Sequence, residues 1–151
     1  MRMKTIIAAS VVGSTVAVFM GGFVRAETVE EALRARMEKR VYRNDAGETL
    51  PYRLLVPENY DADKRYPLIL FLHGAGERGD DNELQLKHAQ VLHLAADPAH
   101  PCFVVAPQCP VNQKWVEVAW SFDKPHETPE KPSFAMRLTL EILDTLEKEF
   151  S

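Results

Sequence analysis

The stretch Leu68–Asn82, LILFLHGAGERGDDN, decides the fold of this chain. Its first five residues are a continuous apolar run without alternation, which predicts a strand covered on both faces, in the interior of a parallel sheet. The run ends abruptly in a histidine, followed by glycines and charged residues. Ligands of open α/β sheets bind beyond the carboxyl ends of the strands. The stretch therefore predicts a strand that leads into a functional loop.

Segments on either side of this stretch complete an α/β pattern. Upstream, residues 41–43 and 50–56 flank an Asn/Asp/Gly-rich turn and predict an antiparallel hairpin, with Pro51 on an edge strand or at the start of a strand. Downstream, residues 83–94 have helical spacing and residues 103–106 form a second short apolar run. Strand, helix and strand in this order predict a right-handed βαβ unit.

The last predicted element is the helix that follows Ser133, a residue suited to cap it. Leu138, Ile142, Leu146 and Phe150 recur every four residues and predict one buried stripe. For the earlier helix, Asp81 or Asn82 is the predicted cap.

The N-terminal residues predict a secretory signal peptide, residues 1–26, with cleavage after Ala26. Two basic residues precede a long uncharged apolar stretch, and small residues stand at the cleavage positions. The expected location is secreted or periplasmic, with no membrane association after cleavage; an uncleaved membrane anchor is the alternative. Residues 27–40 are a charged lead-in, either a short surface helix or flexible, and residues 41–151 form the domain.

Composition and charge exclude several classes of function. The net charge of −4, with both signs interspersed, lacks the basic footprint of a nucleic-acid binder. The glycine-rich loop has no Gly-Lys-Ser/Thr ending and matches only part of a dinucleotide fingerprint, so no cofactor is predicted. His88 and His93 are five residues apart, a spacing that does not align metal ligands on one helix face, and no metal site is predicted.

The two cysteines, Cys102 and Cys109, flank the second apolar run. Seven extended residues span about 23 Å, which is far beyond the reach of a disulfide. They are therefore expected to be buried free thiols.

The chemistry of the loop is concentrated in His73-Gly74-Ala75-Gly76. Glycines at the end of a buried strand let backbone N–H groups face a ligand, an arrangement that suits a developing oxyanion. The alternative is a tight turn that needs positive φ angles. Other side chains are candidates for the pocket around the loop. These candidates are Arg78, Asn82, Trp115 and Trp120.

The segments LPYRLLVPENYDADKRYPLILFLHGAGERGDDN and FVVAPQCP resemble the N-terminal half of secreted α/β-hydrolases. The group includes bacterial esterases and predicted peptidases similar to polyhydroxybutyrate depolymerases and to the prolyl-oligopeptidase catalytic domain. The resemblance implies a partial α/β-hydrolase fold, an oxyanion-hole amide at Ala75 with Gly74 and Gly76 allowing the bend, and a structural role for His73. It implies a serine hydrolase acting on small or polymeric carboxylic esters, or on peptides.

The nucleophile of that family lies in Gly-x-Ser-x-Gly after the fifth strand, a motif that these 151 residues do not contain. The resemblance therefore predicts a sequence that stops before the strand leading to the nucleophile, without the catalytic triad and inactive alone. Two other hypotheses remain open at this point. One is a non-catalytic secreted binding module or degenerate hydrolase, and the other is a membrane-anchored structural protein.

Overall fold

The computed structural model describes residues 28–119, 121, 123, 125–127 and 129–150. The predicted signal peptide, residues 1–26, therefore lies outside the described residues, and so does Trp120. The helices and strands are α1 (Val29–Arg36), β1 (Glu38–Arg43), β2 (Thr49–Leu55), β3 (Leu68–Leu70), α2 (Leu92–Ala95), β4 (Phe103–Pro107) and α3 (Phe134–Glu149), with 3-10 turns at Ala75–Glu77 and Leu84–Leu86. No helix in the described ranges has the length and apolar character needed to cross a membrane.

The strands form one mixed sheet in the order β1-β2-β4-β3. β1 and β2 pair antiparallel, and β3 and β4 pair parallel, which confirms the predicted hairpin and the parallel pairing of the two apolar runs. β2 joins the two halves by pairing antiparallel with β4. This arrangement, with helices on both faces, is that of a partial α/β-hydrolase fold.

The hairpin turn forms because its residues suit the required geometry. Gly47 has φ of 81° and donates its N–H to the Asn44 carbonyl at 2.9 Å. The Asn44 side-chain oxygen accepts from the Glu48 N–H at 3.0 Å. Pro51 is the third residue of β2, an interior strand, so the predicted edge position is wrong. Its carbonyl accepts from Gln108 where the β2–β4 ladder ends, so the missing N–H leaves no gap inside the ladder.

The predicted interior position of the Leu68–Leu72 run is also wrong within the described residues. β3 lies at the edge of the sheet, and Leu68 is 41 % exposed. The strand that is covered on both faces is β4, whose five residues are all buried. An apolar run shows that a strand lies between two layers, but it does not show which strands lie beside it.

Two apolar layers cover the sheet. On one face, Val104 and Ala106 of β4 pack with α1, α2 and the turns between β3 and β4. On the other face, Phe103 and Val105 pack against α3. Ser133 caps α3 by accepting the Met136 N–H at 3.1 Å, and the predicted stripe of α3 is buried at Leu138, Ile142 and Leu146.

The predicted helix over residues 83–94 is instead a series of short turns and the brief helix α2. Its buried apolar residues are Leu86, Ala89 and Leu92, spaced three apart. This spacing matches the three-residue turn of a 3-10 helix, and the N–H groups of Leu86, Ala89 and Leu92 each bond to a carbonyl three residues back. The N-cap of the first turn is Glu83 rather than Asp81 or Asn82, and Glu83 makes no side-chain capping bond. The Asp81 carboxylate still accepts from the N–H groups of Glu83 and Leu84 and so stabilises the start of the turn.

Candidate functional site

The loops that follow β3 and β4 meet at the carboxyl end of these parallel strands. The Gly79 N–H donates to the Cys109 carbonyl at 3.0 Å. The Cys109 N–H in turn donates to Nε2 of His73 at 2.9 Å. The His-Gly loop is therefore fixed to the residues directly after β4, at the edge where α/β sheets bind ligands.

His73 is buried, and both of its ring nitrogens are occupied. Because Nε2 accepts a hydrogen bond from Cys109, the ring proton is on Nδ1, which donates to the Gly74 carbonyl at 2.7 Å. Burial lowers the pKa of His73, while the hydrogen bond to Gly74 acts in the opposite direction. A neutral imidazole with no unoccupied nitrogen holds the loop and has no lone pair available for general-base work.

The neutral state of His73 predicts a pH dependence of stability. Because the pKa of His73 is lowered on folding from 6.5, the unfolded chain takes up the proton more readily. The free energy of unfolding should therefore decrease as the pH falls below about 6.5. Urea unfolding of the wild type and of His73→Gln between pH 7.5 and 5 checks this, since the difference between them isolates His73 from the carboxylates. Parallel pH profiles for the two proteins would contradict the prediction.

The carbonyls of the His73–Ala75 segment are all hydrogen-bonded. The Trp115 indole N–H donates to the His73 carbonyl at 3.0 Å, and the Arg78 Nε–H donates to the Ala75 carbonyl at 2.9 Å. The Gly74 carbonyl accepts from His73 and, at 3.3 Å, from the N–H of Glu77. Three successive peptide planes are thus fixed by groups of the same chain.

Fixing these carbonyls also fixes the amides. The peptides are trans, so each N–H points away from the carbonyl of its own peptide unit. The N–H of Ala75 lies opposite the Gly74 carbonyl, and no described residue accepts a hydrogen bond from it. Ala75 is itself exposed. Its amide is therefore held by the hydrogen bonds of the Gly74 carbonyl, and no described group competes for its N–H.

Glycine at positions 74 and 76 is not explained by positive φ. Gly74 is extended, with φ of −77° and ψ of −179°, and Gly47 is the one described glycine with positive φ. A Cβ at Gly76 would meet no heavy atom within 4 Å. The tight-turn alternative is therefore wrong for these residues, and the space beside Gly76 is open.

Asn82 does not line an open pocket. It is buried, with φ of 55°, and its side-chain amide donates to the carbonyls of Arg40 and Tyr52 at 3.0 and 3.1 Å. Its side-chain oxygen accepts from Gln85 at 2.6 Å. The predicted pocket role is corrected to that of an internal anchor, because every polar group of the side chain is used within the protein.

The remaining pocket candidates lie beside the loop. Arg78 donates to two backbone carbonyls, those of Ala75 and Gln113, and thereby braces the loop. Trp115 is half-buried, and its ring lies edge-on to the His73 ring at 5.2 Å.

Gln108 is a site residue that the sequence analysis missed. It is fully buried; its side-chain oxygen accepts from the Asn82 N–H at 2.7 Å, and its amide donates to the Asp81 carboxylate at 2.8 Å. These bonds join the loop after β3 to the end of β4. The available signal was a polar residue directly after a buried strand, a position at which an unpaired amide is costly.

Among the described residues, the thiols and histidines form neither a second nucleophilic site nor a metal site. Cys102 and Cys109 are free and buried, and burial raises the pKa of Cys109 to about 11, so it stays protonated at neutral pH. Proximity to His73 therefore does not make Cys109 a nucleophile. Within the described ranges, no group of three acidic, histidine or cysteine side chains could hold a metal ion.

Two concave sites lie at the opposite end of the sheet. One, of 370 Å³, reaches Cys102 and Leu55, and the other, of 670 Å³, lies beside Leu68 and Phe103. Cys102, Leu68 and Phe103 stand at the amino ends of β3 and β4, and Leu55 ends the antiparallel β2 beside them, away from the His-Gly loop. Neither of these two concave sites is lined by a residue of the His-Gly loop.

Comparison with known proteins identifies the class that this fold and loop define. The family model described as "Putative esterase" matches residues 44–151, and the chain belongs to this family. Among solved structures, a thermostable esterase matches with 35% sequence identity and a TM-score of 0.65. The match covers 79% of this chain and 32% of that protein, so the chain spans about a third of its length. No curated protein matches the chain.

Proposed function

We propose that this chain supplies the oxyanion-binding part of a serine esterase that hydrolyses carboxylic esters through an acyl-enzyme. In such a reaction a serine attacks the ester carbonyl, whose oxygen becomes negatively charged in the tetrahedral intermediate. The Ala75 N–H is the donor to that oxygen. His73, Gly74 and Gly76 form the loop that presents it.

The observation that carries this proposal is the orientation of the Ala75 amide. Its peptide plane is fixed by the hydrogen bonds to the Gly74 carbonyl, from His73 Nδ1 at 2.7 Å and from the Glu77 N–H. A donor that is held before the reaction stabilises developing charge without reorganisation in the transition state. Membership of the esterase family makes the ester the first substrate to test.

The attacking half of the site is proposed to come from sequence beyond these residues. No Gly-x-Ser-x-Gly occurs in the chain, and the chain matches about a third of the thermostable esterase. The 151-residue chain alone should therefore form no acyl-enzyme. Hydrolysis of an amide bond passes through the same kind of tetrahedral oxyanion, so a peptide substrate is assayed beside the ester.

A fusion protein tests this function. The fusion joins residues 1–151 to the segment of the thermostable esterase that lies beyond its matched part. Its hydrolysis of p-nitrophenyl butyrate and of a peptide p-nitroanilide is then measured. The fusion should cleave the ester and react with a fluorophosphonate probe, whereas the 151-residue chain alone should do neither. Labelling of the chain alone, or a folded fusion without ester hydrolysis, would contradict the proposal.

Export is proposed on the N-terminal sequence alone. Cleavage after Ala26 would leave a mature chain that begins with Glu27. Expression in a bacterial host and N-terminal sequencing of the exported protein check this. A retained Met1 on membrane-associated protein would instead support the uncleaved anchor.

A further inference from the structure

Trp115 lies on the segment that follows β4 and reaches back to the His-Gly loop. Its indole N–H donates to the His73 carbonyl at 3.0 Å. Its ring also packs edge-on against the His73 ring, with centroids 5.2 Å apart and planes at 66°. One side chain therefore contacts both the backbone and the imidazole of the same histidine.

These two contacts act on two adjacent peptide units. The hydrogen bond fixes the carbonyl between His73 and Gly74, so the Gly74 N–H must point away from the indole. The ring contact limits rotation of the imidazole, whose Nδ1 holds the Gly74 carbonyl. That carbonyl belongs to the same peptide unit as the Ala75 N–H. Trp115 therefore influences both amides without touching either.

Trp115 is itself attached to a rigid element. The Ser133 hydroxyl donates to the Trp115 carbonyl at 2.9 Å, and the same hydroxyl caps the 16-residue helix α3. Two residues earlier, the Gln113 carbonyl accepts from Arg78 at 3.2 Å. The indole is thus held from the helix side and from the loop side, as a positioning group requires.

We propose that Trp115 is a positioning residue that orients the two peptide planes between His73 and Ala75 through its indole N–H and its ring. This assignment rests on the proposed function for its catalytic consequence. It replaces the expectation that Trp115 contacts substrate, since its one polar group is directed at a backbone carbonyl.

The catalytic test is Trp115→Phe in the active fusion. Phenylalanine keeps an aromatic ring beside His73 but removes the N–H donor. Loss of one neutral hydrogen bond should lower kcat about tenfold. KM should stay unchanged, because an oriented oxyanion donor acts in the transition state rather than on the bound ester.

Two comparisons separate positioning from a loss of stability. Tyr60→Phe removes a similar hydrogen bond, from an aromatic side chain to the Phe150 carbonyl at 2.9 Å, at the other end of the sheet. It should lower the melting temperature while kcat stays unchanged. In an Ala75→Pro background, Trp115→Phe should cause no further loss of kcat, because the amide that it positions is already absent.

The outcomes distinguish this proposal from the proposed function. If Ala75→Pro leaves kcat unchanged, the oxyanion role fails. If Ala75→Pro lowers kcat and Trp115→Phe does not, the role of Trp115 alone is overturned.

A measurement on the 151-residue chain decides the structural claim without activity. In nitrogen-15 NMR spectra, Trp115→Phe should shift or broaden the amide signals of Gly74 and Ala75 and the Nδ1 signal of His73. Tyr60→Phe should leave these signals in place. Unchanged signals in Trp115→Phe would overturn the proposal, whatever the fusion does.

Discussion

Replacing Ala75 with proline is expected to lower kcat of the fusion esterase about 100- to 1,000-fold, the effect of removing one oxyanion donor. Proline has no backbone N–H, so the substitution deletes the proposed donor itself. The backbone is already compatible with proline at this position. Ala75 is the first residue of a 3-10 turn, and Gly74 before it is extended, as a residue preceding proline must be.

The matched control is Ala75→Ser, which retains the backbone N–H at an exposed position. Its kcat should stay close to that of the unsubstituted fusion. Steady-state kinetics with p-nitrophenyl butyrate, together with melting temperatures, check both variants. A proline variant that is folded and fully active would remove Ala75 from the oxyanion hole.

Replacing Gly79 with alanine is expected to lower the free energy of unfolding by about 2–3 kcal/mol. A Cβ at this position would lie 2.8 Å from Nε2 of Gln108, a distance that forces a movement. Gln108 has little freedom to move, because its buried amide is bonded to Asp81 at one end and to Asn82 at the other. Relieving the contact therefore breaks hydrogen bonds in a buried network.

Gly76→Ala is the control for this substitution, since its added Cβ would meet nothing within 4 Å. Neither glycine has a positive φ, so backbone strain does not distinguish the two. Gly76→Ala should change stability by no more than about 0.5 kcal/mol. Urea unfolding followed by circular dichroism measures both, and equal effects would show that the contact with Gln108 is not the cause.

Sequence patterns predicted the elements whose signals are local. The hairpin turn follows from Asn44 and Gly47, and α3 follows from its cap at Ser133 and its four-residue apolar spacing. The parallel pairing of β3 with β4 follows from two apolar runs separated by a crossover. In each case, neighbouring residues along the chain carry the information.

Features that depend on distant partners were not predictable in the same way. Asn82 was expected at the pocket because it belongs to the loop after β3, but it is buried and its amide donates to carbonyls of β1 and β2. Gln108 gave a weaker signal, and its partners lie 26 and 27 residues away. The orientation of the Ala75 amide likewise depends on bonds from His73 and on a tryptophan 42 residues beyond it.

The edge position of β3 has a practical consequence for handling the protein. Pro67 and Phe71 direct their hydrogen-bonding groups toward β4, so the alternate residues Leu68 and Leu70 direct theirs outward, where no described strand lies. An apolar strand with outward-facing backbone groups is a template for adding another strand. The 151-residue chain should therefore aggregate more readily as its concentration rises, and dilute samples suit its spectroscopy.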